Sequence, residues 1–235
     1  PQLTKRHLLY GAGPEATLRA VDVRPGPEGS TFRVVTDGRD LGEVRLRLPG
    51  THSVLNALAA VAVGLELEVA FPHIAGALED FPGVGRRFET RGEAGGVRVV
   101  DDYGHHPTEV AATLAAARTL GRRVLVLFQP HRYTRTALLH REFGACFAGA
   151  DRVFVLDIYA AGEAPVPGVT ARTIVESAES LGQRQLVYAG DAAAALEAVA
   201  REVRPGDLVL TLGAGDVWKL GDRLLERLAG QAGGR

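Results

Sequence analysis

The sequence predicts an α/β fold. A doubly wound, Rossmann-like, mostly parallel sheet forms the C-terminal part, and a smaller β-rich and helical piece precedes it. Three observations predict this. From residue 97, short runs that are almost wholly apolar (97–100, 123–128, 152–156, 185–188, 208–212) alternate with amphipathic stretches. Strands covered on both faces read as continuous apolar runs, and intervening helices supply the cover. Before residue 50 the pattern is instead short alternating segments with turn residues. Between the two, Phe81-Pro82-Gly83-Val84-Gly85 breaks every periodicity, so the domains are expected at 1–83 and 84–235.

In chain order, residues 7–10 form a short apolar run, and 16–23 alternate as a half-buried strand does. Residues 24–30 read as a Pro/Gly loop. Strands at 31–36 and 43–48 bracket Asp37-Gly38 as a hairpin with a longer connection. A helix is predicted over 53–67, capped by Thr51 or Ser53, with Leu55, Leu58, Ala59, Ala62 and Leu65 on one face. A shorter one follows over 72–79, with Pro72 in its first turn. In the C-terminal part the helices are 108–120, 136–147, 171–180, 192–203 and 217–228, and five βα units fit one doubly wound domain. The glycine-rich end, 230–235, is expected to fray.

Composition bounds the function. The chain of 235 residues has 27 basic and 28 acidic residues, so no net field points to nucleic acid. No apolar run approaches the roughly 18 residues of a membrane helix, and no signal peptide is visible. One cysteine, Cys146, allows no internal disulfide and fits a reducing compartment, so a cytoplasmic location is expected. There is no methionine, so the chain is expected to be a processed or excised part of something longer.

Reactive side chains concentrate where strands end. The apolar run at 97–100 leads into Asp101-Asp102-Tyr103-Gly104-His105-His106-Pro107-Thr108-Glu109. Ligands of open α/β sheets sit at such carboxyl ends. Successive strand residues face opposite ways, so one of the two carboxylates is expected to face a ligand. It would accept from ribose hydroxyls, or else it caps the next helix. Tyr103 stacks on a base or packs against its loop. His105 and His106 suit a base, a ligand donor or a metal site, but no cysteine or third histidine lies at zinc-like spacing.

A second cluster, Phe128-Gln129-Pro130-His131-Arg132-Tyr133-Thr134-Arg135-Thr136, follows another strand at the same edge. Two arginines three apart at a helix start suit a carboxylate or phosphate. Arg86-Arg87-Phe88-Glu89 lies beside the domain break, where an arginine could reach phosphates held by the other domain. His52 and Asn56 stand a turn apart at the start of the first helix, and an amide can read an adenine edge. Gly213-Ala214-Gly215-Asp216 is either a phosphate cradle or a tight turn, and no Walker A pattern occurs.

In this order, residues 49–60, Gly85-Arg86-Arg87-Phe88-Glu89, the two histidine loops and the Gly-Ala-Gly-Asp turn resemble the Mur ligase family, from about residue 5 to about 228. The resemblance implies that residues 1–83 are the C-terminal portion of a central ATP-binding domain whose P-loop lies upstream. It implies that 84–235 are the C-terminal ligase domain, with the nucleotide held between the two. The implied reaction joins L-alanine to UDP-N-acetylmuramate, with ATP and Mg2+, through an acyl phosphate. No nucleic acid or membrane partner is implied. By resemblance His52 lies near the magnesium and phosphates, Asn56 and Tyr103 contact adenine, Arg87 the phosphates and Asp102 the ribose. His105, Arg132 and Arg135 hold L-alanine, and His52, His105 and Arg132 make up the catalytic set. Ser53 stands where the family pattern usually has Asn. Two other readings stay open: a ligase of the same family that attaches a preformed tripeptide to muramate for recycling, and a non-catalytic nucleotide-binding module as the chain stands.

Overall fold

The computed structural model describes residues 5, 7–26 and 29–232. The chain divides into two compact units, Pro1–Gly83 and Val84–Arg235.

In the first unit, β1 (Tyr10–Gly11), β2 (Leu18–Gly26), β3 (Gly29–Thr36) and β4 (Arg39–Leu46) form a sheet in that order. β1 runs parallel to β2, and the other pairs are antiparallel. Leu18, Ala20, Phe32, Val34, Val44 and Leu46 turn one face toward α1 (Thr51–Glu66) and α2 (Phe71–Asp80), where Val54, Leu58, Val61 and Ile74 complete the core.

Several local expectations are corrected here. The turn at Asp37-Gly38 is tight: Thr36 pairs with Arg39, and φ is +48° at Asp37 and +76° at Gly38. Two positive φ values give the two-residue hairpin whose twist matches its strands. β2 and β3 also extend into the expected Pro/Gly loop, of which residues 27–28 lie outside the described residues. Neither Thr51 nor Ser53 caps α1. Gly50 takes the cap position, and the Ser53 hydroxyl donates to the Pro49 carbonyl at 2.8 Å. The buried face of α1 is Val54, Ala57, Leu58 and Val61, while Leu55 is exposed. This helix is apolar almost all round, so two series at helical spacing overlap in it, and packing on the sheet selects one.

In the second unit, β5 (Glu89–Ala94), β6 (Val97–Asp102), β7 (Val124–Phe128), β8 (Arg152–Leu156), β9 (Leu186–Gly190) and β10 (Leu208–Leu212) form one sheet in the order β5-β6-β10-β7-β8-β9. All pairs are parallel except β5 with β6. Helices α3 (Pro107–Arg118), α4 (Tyr133–Cys146) and α5 (Arg172–Ser180) pack on one face through Val110, Leu114, Phe143, Phe147 and Ile174. Helices α6 (Ala192–Glu202) and α7 (Trp218–Ala232) cover the other through Leu196, Val199, Leu220 and Leu224. β10 is inserted between β6 and β7, and it is reached from the opposite face. The carboxyl ends of β6, β10 and β7 are therefore the switch point where a doubly wound sheet opens a crevice.

β5 was not expected. Its sequence, Glu-Thr-Arg-Gly-Glu-Ala, has no apolar period. It is an edge strand, secured by pairing to β6 and by Arg91, whose guanidinium reaches Asp222 of α7 at 2.9 Å. The expected fraying of 230–235 is corrected for 230–232, where α7 continues through Ala232; 233–235 lie outside the described residues.

Candidate active site

Four short segments meet at the switch point: the turn before β5 and the loops after β6, β7 and β10. Asp101 and Asp102 both belong to β6, and neither faces solvent. The Asp101 carboxylate is wholly buried and accepts from Arg86 Nε at 2.9 Å and Thr211 Oγ1 at 2.5 Å. Asp102 accepts from the Gly104 amide (2.8 Å) and Thr113 Oγ1 (3.1 Å) on one oxygen, and from the Phe88 amide (2.9 Å) on the other. Burial pushes its carboxyl above the ordinary carboxylate range, against the pull of those amides. Asp102 thus shapes the 102–104 turn and, through Oδ2, ties it to the Phe88 amide.

The adjacent arginines part company. Arg86 has φ +61° and is fixed at every atom that can bond. Besides Asp101, its guanidinium donates to the Gly213 carbonyl at 2.6 Å and the Gly215 carbonyl at 3.1 Å. It therefore clamps the loop after β10. Arg87 is exposed, and its guanidinium makes no hydrogen bond or ion pair to a described residue. It lies 5.6 Å from the centre of the Tyr103 ring, and Arg86 lies 5.0 Å away. Tyr103 is thus an aromatic face bordered by cations.

The loop after β10 is a clasp, which favours the tight-turn reading of residues 213–216. A Cβ at Gly213 (φ +147°) would stand 2.7 Å from the Gln129 carbonyl. A Cβ at Gly215 would meet the Tyr159 ring at 2.8 Å. Gln129 pairs with Asp216 twice, donating to its carboxylate at 3.3 Å and accepting from its amide at 3.1 Å.

His105 and His131 stand with ring centres 5.7 Å apart. His105 Nδ1 lies 2.9 Å from the Tyr103 carbonyl. A carbonyl only accepts, so Nδ1 carries the proton and Nε2 is the open nitrogen. In His131 the assignment reverses. Arg135 donates to Nδ1 at 3.3 Å, so the neutral ring carries its proton on Nε2. Burial first, then the neighbouring Arg135, the His105 imidazole and Arg132, hold the His131 pKa below its ordinary value. His106 points elsewhere: it is exposed and caps α3 in a capping box with Glu109.

Arg132 sits at the N-cap of α4 with φ +75° and ψ +139° and supplies no side-chain cap. Its guanidinium is exposed and makes no hydrogen bond or ion pair to a described residue. Its backbone is tied to the segment after β8: its amide donates to the Tyr159 carbonyl and the Tyr159 amide to the Pro130 carbonyl, both at 2.8 Å. The Tyr159 ring stacks on His131 at 5.6 Å. Glu163 accepts from the Thr134 amide at 3.1 Å and its hydroxyl at 2.7 Å.

The second unit therefore brings together Arg87, Asp102, Tyr103, His105, Arg132 and Arg135. His52 and Asn56 lie on α1 of the first unit, Asn56 exposed. Among the described residues no group of three or more His, Cys, Asp or Glu could hold a metal ion. Burial pushes the Cys146 thiol up to about 12, so it offers no nucleophile. Sequence reasoning missed Gln129, Tyr159, Glu163 and Thr211, and it did not separate Arg86 from Arg87. The Tyr159–Glu163 segment follows an apolar strand at the same edge, and that signal was available.

A doubly wound domain with free guanidinium groups, an aromatic face and two oriented imidazoles at its switch point is of the class that binds nucleotides and carboxylates. The family described as "Mur ligase, glutamate ligase domain" matches residues 86–215, and the chain belongs to the Mur ligases. It is 52% identical over 229 residues to a UDP-N-acetylmuramate–L-alanine ligase of Solibacter usitatus, covering 97% of this chain and 48% of that protein. The chain spans about half the length of the curated relatives it matches. Its fold is similar to that of UDP-N-acetylmuramate–alanine ligase from Thermotoga maritima, with a TM-score of 0.78 and 27% identity over 95% of this chain and 48% of that one. A MurF ligase from Thermotoga maritima, solved in complex with ADP, shares the fold with a TM-score of 0.69 and 19% identity over 96% of this chain and 49% of that one.

Proposed function

We propose that this chain is the amino-acid-binding and nucleotide-contacting part of an ATP-dependent ligase that joins L-alanine to UDP-N-acetylmuramate in peptidoglycan synthesis. The observation that carries this reading is the 52% identity, over nearly the whole chain, to a relative of that name. In the proposed reaction the muramate carboxylate takes the terminal phosphoryl group of ATP and ADP leaves. The amine of L-alanine then attacks the acyl carbon, a C–N bond forms and phosphate departs. The energetic difficulty is to bring anionic groups together around a neutral amine, so positioning and fixed cations carry the catalysis.

The residues divide accordingly. Tyr103 offers a face for the adenine, Arg87 a free cation for the phosphates, and Asp102 a carboxylate for the ribose. Arg132 and the remaining donors of Arg135 suit the carboxylate of L-alanine, because a guanidinium matches a carboxylate with two parallel bonds. His105 presents Nε2 as an acceptor for a proton of the substrate ammonium. Asn56 and His52 belong to the part of the reading that needs the first unit. The described residues do not by themselves fit a magnesium site, which calls for oxygen ligands. Magnesium would come with ATP, and His52 would lie near it or reach it through water. An ATP-consuming ligase of this kind belongs in the cytoplasm. The 235-residue chain alone, lacking a P-loop pattern, is expected not to turn over ATP.

The test is kinetic, in the full-length protein. Arg132→Ala and Arg135→Ala are each expected to raise the KM for L-alanine by about tenfold or more while moving the KM for ATP by less than about twofold. An unchanged L-alanine requirement sinks the assignment. A phosphate release that needs a tripeptide and ignores L-alanine makes the recycling ligase the correct reading instead.

A further inference from the structure

We propose that Glu163 is a positioning residue for the amino-acid pocket, holding the left-handed turn at Arg132 and, through it, the orientation of His131. This rests on the ligase reading above for the identity of the pocket's occupant.

α4 opens at Arg132, which is in the left-handed region with φ +75° and gives its helix no side-chain cap. A non-glycine residue there is strained, so the surroundings must hold it in place. The helix's first free amides also need acceptors. Glu163 meets that need from outside the helix. It comes from the segment after β8, and its two oxygens accept from the amide and the hydroxyl of Thr134. Those two bonds hold its carboxyl below the ordinary range, so it stays ionised at neutral pH.

The same segment grips the turn at two further points. The Arg132 amide bonds the Tyr159 carbonyl, and the Tyr159 amide bonds the Pro130 carbonyl, forming a short parallel bridge between His131 and Tyr159. The Tyr159 ring backs the imidazole of His131. Residues 159–163 therefore back the turn at 130–134, and Glu163 is their anchor. A consequence follows for ligand binding. With Glu163 on the amide of Thr134, the substrate carboxylate must be taken by the arginine side chains and not by the helix terminus.

Two readouts test this. In the full-length protein, Glu163→Ala is expected to raise the KM for L-alanine about tenfold and leave the KM for ATP within about twofold. Glu163→Gln should restore part of the loss, since its amide oxygen still accepts from Thr134. A KM for L-alanine unchanged in Glu163→Ala, or both KM values rising together, overturns the proposal. The second readout needs no substrate. Imidazole 15N spectra of the 235-residue chain should show His131 with its proton on Nε2. Glu163→Ala should mix the two tautomers, and Thr134→Val, which keeps the amide, should do so less. A His131 signal identical in all variants overturns the proposal. If the full-length protein ignores L-alanine while the His131 signal still responds to Glu163→Ala, the ligase reading fails and the positioning role stands. If Glu163→Ala does not fold, Glu163→Gln and Thr134→Val carry both readouts.

Discussion

At the scale of residues, position decides what residue type leaves open. Arg86 and Arg87 are alike in sequence, but the structure turns one into a half-buried clamp and leaves the other exposed. The sequence has no signal for this, because the left-handed φ of Arg86 is set by contacts some 130 residues away, at the carbonyls of Gly213 and Gly215. That Asp101 and Asp102 stand at a strand end was legible. That both are buried and bonded to the chain was not. His131 carries a pH prediction. Its pKa in the folded chain lies below the ordinary value, through burial first and then through Arg135, His105 and Arg132, with Glu163 opposing. As pH falls, the unfolded chain therefore takes up this proton first. The stability associated with the neutral ring is complete above about pH 6.5 and is lost as pH falls toward the lower folded pKa. His131→Gln removes that titration. Chemical denaturation from about pH 7 to about pH 5 should show the wild-type chain losing stability relative to His131→Gln. Two parallel curves contradict the burial of a neutral imidazole.

At the scale of elements, apolar runs located the parallel strands well, because strands covered on both faces leave no room for polar residues. Strand β8 was read at its observed bounds of Arg152–Leu156, and β10 at Leu208–Leu212. The edge strand β5 escaped, since an edge strand held by ion pairs needs no apolar period. The face of α1 was read only in part, with Leu58, Ala62 and Leu65 placed rightly but Leu55 wrongly included, for the opposite reason, an excess of apolar residues. Loop-to-loop clasps were the least legible feature: Thr134 and Glu163, or Gln129 and Asp216, meet across long stretches of chain with no spacing rule. The Arg86 clamp allows a prediction at this scale. Arg86→Ala leaves the wholly buried Asp101 carboxylate with Thr211 alone and releases two loop carbonyls. Removing one partner of a buried pair costs about 3 kcal/mol. Urea denaturation should show a loss of that order, with Arg87→Ala, at an exposed position, near neutral. Equal effects at the two positions would remove the distinction between clamp and ligand cation.

At the scale of the molecule, the break at residues 81–85 separates two different construction schemes. The first is a small sheet with helices on one face, and the second is a sheet covered on both. The family follows from the second unit, in which residues 86–215 match. Its charged loops were legible because an apolar strand running into a charged loop is a local pattern, repeated at β6 and β7. The roles assigned to His52 and Asn56 rest on resemblance, because a helix start with an imidazole and an amide has no chemistry of its own. The most direct test of the central claim is phosphate release by the full-length protein given ATP and UDP-N-acetylmuramate, with one amino acid or peptide added at a time. Release is expected to depend on all three substrates and to be strongest with L-alanine. Release that persists without UDP-N-acetylmuramate, or that responds only to a tripeptide, would contradict it.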